Sequence, residues 1–190
     1  LLAMENILPL SRRWINYIDG KRDTILEIRT KSALFGAIKD IEPSENVILS
    51  WTLSPEPICA KYESTAPPLK SRVNAIKSAL DSGWQVRLCF DPIILIDDWF
   101  EIYSLFLKRL FQEINGSHLR DVTLGVFRMN KDYFNRIRKR ETRSDIYFSD
   151  YAIENGIVVV DGEKRRSSME TLVNILTEFV PKDKILVWKK

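Results

Sequence analysis

Asn46-Val47-Ile48-Leu49-Ser50-Trp51-Thr52-Leu53 is a mainly apolar, uncharged run in which Ser50 and Thr52 alternate with apolar residues, and Ser54-Pro55-Glu56-Pro57 stops it. The run predicts a buried strand, because the two prolines that follow cannot continue a hydrogen-bonded ladder. Trp84 to Phe90 repeats the pattern and ends at Asp91-Pro92. Between the two runs, a loop through Lys61–Thr65 leads to Leu69, Val73, Ile76 and Leu80, spaced for one helix face. Pro67 and Pro68 open that helix, where a missing N–H costs nothing, and Gly83 closes it. A strand, an amphipathic helix and a second strand call for parallel pairing through a crossover.

The same alternation extends in both directions. Upstream, Leu10, Trp14 and Ile18 mark a helix over 7–19, and residues 24–29 alternate as a strand. Ser32 caps a short helix through Ile38. Downstream, a long helix is predicted over 98–114, with Trp99, Tyr103, Phe106, Leu110 and Ile114 on one side and Asp97 and Asp98 at its positive end. Residues 121–127 read as a fourth strand, 132–140 as a strongly basic helix, and 145–148 as a fifth strand. Gly156–Val160, turning at Asp161-Gly162, reads as one arm of a hairpin. A helix over 169–179 and a short strand over 185–188 end the chain. The third and fourth strands carry few charges, as strands covered by helices should. A curved partial barrel and an open doubly wound sheet both fit this pattern, and periodicity does not separate them.

Composition narrows the function classes. At 190 residues with 45% hydrophobic and 29% charged side chains, the chain can bury one sizeable core. Its net charge of +3 neither demands nor excludes nucleic acid, since a local patch matters more than a total. There is no GxGxxG and no GxxxxGK[ST], so the usual phosphate-cradling loops are missing. One His cannot build a His-based zinc site. Cys59 and Cys89 are too far apart for a CxxC pair, which makes a reducing, cytoplasmic setting the expectation. Leu1–Met4, without a basic region or a small-residue cleavage site, does not read as a signal peptide, and no apolar run reaches membrane-spanning length. The abrupt start at Leu1 reads as the C-terminal part of something longer.

Parallel α/β folds place ligands at the C-terminal ends of their strands. Those ends carry Arg29-Thr30-Lys31-Ser32, Trp51-Thr52-Leu53-Ser54, Phe90-Asp91-Pro92 and Phe127-Arg128. Cations, hydroxyls and a carboxylate at one edge suit a charged, hydroxyl-bearing small molecule.

Four segments also carry a resemblance. LEIRTKSA (26–33), LSWTLSPE (49–56), the run from Tyr62 to Trp84 and FDPII (90–94) resemble the spore photoproduct lyase family in order and approximate spacing. DGEKRR (161–166) is similar to the family's C-terminal region, more weakly. The resemblance implies a radical S-adenosylmethionine protein. Its expected fold is α/β: the C-terminal half of a partial (β/α)6 barrel over residues 1–145, with a hairpin and helix extension over 146–190. The family's CxxxCxxC motif, whose thiolates hold a [4Fe–4S] cluster, does not occur here. This chain alone is therefore expected to be inactive, with a missing N-terminal half or a partner chain supplying the cluster.

The resemblance further implies that Lys31 contacts the cofactor's carboxylate, a role suited to a point-charge ammonium. Thr52 would place a hydroxyl near the cofactor, and Asp91 would lie near the adenosine end. The family's reaction is repair of thymine photodimers in DNA, and a hairpin near its C-terminus inserts by the lesion. That makes Lys164, Arg165 and Arg166 the expected DNA contacts, while the basic cluster Arg136–Arg140 reads as a solvated face. Cys59 and Cys89 read as structural. No catalytic residue and no metal ligand is assigned to this chain. The competing expectation is a cluster-less relative that binds nucleic acid or a partner without catalysis.

Overall fold

A computed structural model describes residues 1–21 and 23–188. Five strands form one open, wholly parallel sheet in the order β1-β2-β3-β4-β8. They are β1 (Leu26–Thr30), β2 (Val47–Thr52), β3 (Gln85–Ile93), β4 (Asp121–Val126) and β8 (Ile185–Val187). Among the described residues the sheet does not close into a barrel. Helices α1 (Leu10–Ile18), α2 (Glu56–Tyr62), α3 (Leu69–Asp81), α4 (Trp99–Glu113), α5 (Lys131–Arg140) and α6 (Gly162–Leu176) complete the α/β pattern.

Register explains the two faces. Ile28 lies opposite Leu49, Leu49 opposite Val86, and Leu88 opposite Val122, so one face is a continuous apolar layer. With Trp51, Phe90 and Leu124, these side chains are buried among residues of α3, α4 and α6 in the main core. The indole N–H of Trp51 donates to the Ser32 carbonyl at 2.9 Å, which ties the segment after β1 onto this layer. Tyr103 of α4 accepts from the Ile94 N–H at 2.9 Å and pins the long helix to the end of β3.

The opposite face is different. Glu27, Arg29, Ser50, Thr52, Arg87, Cys89, Asp91, Asp121 and Thr123 alternate with the apolar set and carry the polar chemistry. Few charges were expected on β3 and β4, yet Arg87 and Asp121 lie here, and Asp121 is buried. Their charges are tied up laterally. Glu27 accepts from the Ser50 hydroxyl and from Arg87, both at 2.7 Å. Arg87 in turn makes a two-point contact with Asp121. This polar face is buried nonetheless, with Ser50, Thr52, Asp121 and Thr123 all among the buried polar residues, so its charges are met by one another.

A second, antiparallel sheet in the order β5-β7-β6 sits beyond the strand ends. Its strands are β5 (Arg128–Asn130), β6 (Ala152–Glu154) and β7 (Ile157–Val159). With α5 it buries a small core of Ile58, Ile94, Phe127, Phe134, Ile146 and Val158. Phe127 and Ile94 follow β4 and β3 directly, so this unit caps the C-terminal edge of the main sheet. Both α6 and β8 return to the main core and sheet, which therefore draws on both sides of residue 145.

Several expectations are corrected. Residues 145–148 form a single 3-10 turn, not a strand. The hairpin turns at Asn155-Gly156, with φ of 48° and 77°, and not at Asp161-Gly162. Asn-Gly supplies the two left-handed residues of a tight hairpin turn. Asp161 instead accepts from the Glu163 and Lys164 N–H groups and caps α6, which begins seven residues before Met169. Ser32 does accept from the Leu34 N–H, but the turn it starts, Leu34–Ile38, is 3-10. Where a strand stop at 54–57 and a loop through 61–65 were expected, Glu56–Tyr62 is helical, with Pro55 and Pro57 at its N-terminal end. Strand β3 runs through Asp91-Pro92 to Ile93. Phe90 pairs with Leu124 and Ile93 with Val126, so the register shift between them absorbs the proline's missing donor.

Candidate functional site

The C-terminal edge of the main sheet gathers two linked clusters. In the first, Arg29 reaches across β2 to β3. Its Nε donates to the Thr52 hydroxyl at 3.2 Å, and its Nη2 donates to the Asp91 carbonyl at 2.8 Å. Arg128 meets the Asp91 carboxylate from the other side, with Nη1 to Oδ1 at 2.8 Å and Nη2 to Oδ2 at 3.3 Å. Arg29 also stands 3.5 Å from Asp91 Oδ2, so one carboxylate lies between two guanidinium groups. Arg128 further rests 5.6 Å from the ring centre of Trp188, at the end of β8. Gly125 makes room for this pairing. A Cβ there would stand 2.8 Å from both Arg128 Nη1 and Asp91 Oδ1.

The second cluster centres on Glu63, just after α2. One carboxylate oxygen accepts from Lys31 Nζ and the Ser54 hydroxyl, both at 2.8 Å. The other accepts from Arg72 Nη1 at 2.7 Å. Arg72 is 1% exposed and also donates to the carbonyls of Pro67 and Thr52, at 2.8 and 3.4 Å. Burial alone would push the Glu63 carboxyl up. The hydrogen bonds from Lys31, Arg72 and Ser54 outweigh it and hold the carboxyl below its ordinary value. The clusters meet at Thr52, whose hydroxyl serves Arg29 and whose carbonyl serves Arg72.

Lys31, Thr52 and Asp91 thus stand on neighbouring strand ends of one edge. Lys31 is engaged by Glu63 rather than free, but its ammonium carries three donors and its side chain is 39% exposed. Arg29 and Arg128, which connect Thr52 to Asp91 and close the row, were visible at the strand ends but carried no assigned role. Glu63 and Arg72 lie within the run Tyr62–Trp84 that carries the resemblance but were assigned no role, because their pairing depends on how α2 and α3 fold back over the edge.

Cys59 donates to the Ser54 carbonyl at 3.2 Å, and burial beside Glu63 pushes its thiol up. Cys89 is buried in β3, and burial pushes its thiol up as well. Two protonated, separated thiols do not fit the three-thiolate ligand set of an iron–sulfur cluster. Among the described residues, no group of three or more His, Cys, Asp and Glu side chains is placed to hold a metal ion. None of the described helices is long and apolar enough to cross a membrane.

Lys164, Arg165 and Arg166 do not form one surface. Lys164 lines a cleft of about 590 Å³ with Lys61, Asp145 and Tyr151, below the small sheet. Arg165 and Arg166 line a different groove, which runs along α6 to Trp188. Arg165 also pairs with Glu154 of the hairpin at 3.3 Å.

An open parallel sheet with one helix-covered face, one charged inner face and polar strand ends is a half-barrel α/β architecture. The spore photoproduct lyase sequence family matches residues 1–167, and the chain belongs to that family. Solved structures support the same fold. A spore photoproduct lyase mutant with bound AdoMet and dinucleoside spore photoproduct has a TM-score of 0.80 at 17% identity, covering 97% of this chain and 57% of that one. Another mutant superposes with a TM-score of 0.84 at 16% identity, covering 97% and 56%. A third structure, a complex with dinucleoside spore photoproduct, gives 0.82 at 16% identity, with 97% and 56% covered. The chain therefore spans a little over half the length of these relatives. No curated protein matches the sequence.

Proposed function

We propose that this chain is the C-terminal half of a spore photoproduct lyase-like enzyme, and that its strand ends hold S-adenosylmethionine. The observation that carries the reading is the bridged row Arg29–Thr52–Asp91–Arg128, with Lys31 on the adjoining strand end. Lys31 and Arg29 offer outward cations for an α-carboxylate. Thr52 and the Asp91 backbone offer neutral partners for a ribose or an amine. The chemistry of this donor set fits a zwitterionic nucleoside better than a simple anion.

S-Adenosylmethionine with a [4Fe–4S] cluster supplies a carbon-centred radical, which in this family serves photodimer repair in DNA. The cluster's thiolates are not among this chain's residues, so its ligands belong to another segment or a partner chain, and this chain alone is inactive. Its own part is to bind and orient the cofactor and to wall one side of a cavity that must exclude water. Two unreactive free thiols fit a reducing compartment, and the proposed location is the cytoplasm.

Calorimetric titration of S-adenosylmethionine into the chain tests the site. Saturable binding is expected, weakened roughly tenfold or more by Lys31→Ala, as for loss of one charge-assisted hydrogen bond. Absence of saturable binding, or binding indifferent to both Lys31→Ala and Thr52→Val, would overturn the reading and favour a non-catalytic binding module. Anaerobic iron reconstitution should load no stoichiometric cluster. If it does, the account of the cysteines is wrong.

A further inference from the structure

We propose that the exposed face of α5, with Phe148 beside it, is a surface that holds the phosphate backbone of a nucleic-acid strand leading to the strand-end cleft. This rests on the nucleic-acid reading above and moves the contact away from Lys164–Arg166.

Charge is the first argument. Residues 131–143 hold six cations against the two carboxylates Asp132 and Glu141, a net +4 in a chain whose total is +3, so the remainder carries −1. Among the described residues, the only ion pair made by these cations is Arg140–Glu141, between two exposed side chains. By contrast, Lys164, Arg165 and Arg166 lie among Asp161, Glu163 and Glu170, and that stretch cancels to zero.

Geometry is the second. The Arg138 guanidinium lies 4.9 Å from the ring centre of Phe148, and Arg136 lies 5.7 Å from that of Tyr133. Both rings are half exposed. A guanidinium laid on a ring is held in orientation while its N–H edge stays free for phosphate. Exposed rings interleaved with such groups also offer π-faces to unstacked bases. Only Phe134 of α5 is buried, so little of the helix is committed to packing.

Position is the third. Ile137 and Arg140 line the same cleft of about 460 Å³ as Lys31, Ser54 and Pro92. A strand crossing α5 therefore has a continuous route to the strand ends. Charge complementarity with a polyanion, together with stacking rings, favours nucleic acid over an acidic protein or a lipid surface.

Fluorescence anisotropy of the full chain with a labelled single-stranded oligonucleotide of about 20 nucleotides, across a salt series, tests this. Replacing Arg136, Arg138 and Lys139 together by Ala should make the log–log salt dependence shallower by about 2, at roughly 0.7 per phosphate contact. Replacing Lys164, Arg165 and Arg166 together should leave the slope unchanged. Arg136→Lys with Arg138→Lys should retain the slope. If the triple α5 variant fails to fold by circular dichroism, Arg138→Ala alone should lower the slope by about 0.7. An unchanged slope in the α5 variants overturns the proposal. So does tighter binding to phosphatidylserine vesicles than to oligonucleotide, or no oligonucleotide binding at low salt. Cofactor titration is read separately. Oligonucleotide binding without S-adenosylmethionine binding would sink the strand-end reading and leave this one standing.

Discussion

Glu63 shows what a single side chain must balance at this edge. It is 7% exposed, and three donors keep it charged there. Because its carboxyl is held below the ordinary value of 4.5, the folded state binds fewer protons than the unfolded state in that region. Its contribution to stability is complete above that value and is lost as pH falls through the lowered folded value. Glu63→Gln should flatten the acid limb of the stability–pH curve. It should also cost about 3–5 kcal/mol near neutral pH, because Arg72 is left charged and buried without its partner. Urea unfolding of wild type and variant between about pH 3 and 7 measures both effects. Asp91 faces the same problem with less burial around its partners, and it is satisfied on both sides by Arg29 and Arg128.

Among the elements, α5 owes its start to one residue. Asn130 accepts from the Asp132 N–H at 3.0 Å and the Tyr133 N–H at 3.2 Å, and the helix buries little else besides Phe134. Asn130→Ala should therefore cost about 1 kcal/mol, felt locally. Hydrogen exchange should show faster exchange along 131–140 with the main sheet unchanged. Equal slowing or no change across α5 would contradict this account of its start. The hairpin and α6 illustrate a competition between two X-Gly pairs. Asn155-Gly156 takes the turn because both residues adopt positive φ there, while the carboxylate of Asp161 finds helix N–H groups to accept from.

In the whole molecule, the outer edge of β1, which pairs with no other strand among the described residues, is the feature with the largest consequence. Near it, Leu1, Met4, Ile7, Leu8, Trp14, Tyr17 and Ile25 are all 47% or more exposed. α1 packs on β1, so an unpaired strand edge and an apolar surface lie side by side. Such a combination invites pairing or aggregation. Light scattering on size-exclusion fractions should show mass rising with concentration, and Ile7→Lys with Trp14→Lys should suppress the rise. A monomer at every concentration would show that this edge is self-sufficient. The inner face agrees with the edge. Its layer of Glu27, Arg87 and Asp121 is ion-paired across three strands of a sheet that, among the described residues, stays open.

Apart from α2, the order of strands and helices from Leu26 to Phe127 was legible in the sequence, because apolar runs of strand length alternate with helical spacing and prolines mark the joints. The edge that carries Lys31, Thr52 and Asp91 was legible for the same reason, since parallel pairing puts all strand ends on one side. Beyond residue 127 the elements are short, and short segments carry too little periodicity to separate a 3-10 turn from a strand or one glycine turn from another. Only the tertiary structure decided that Arg29 bridges Thr52 to Asp91, that Glu63 gathers Lys31, Ser54 and Arg72, and that, among the described residues, Arg140 is the one cation of α5 in an ion pair while Arg165 of α6 pairs with Glu154. Such outcomes depend on distances between groups far apart in the chain, and electrostatic partnership is set by those distances rather than by residue type.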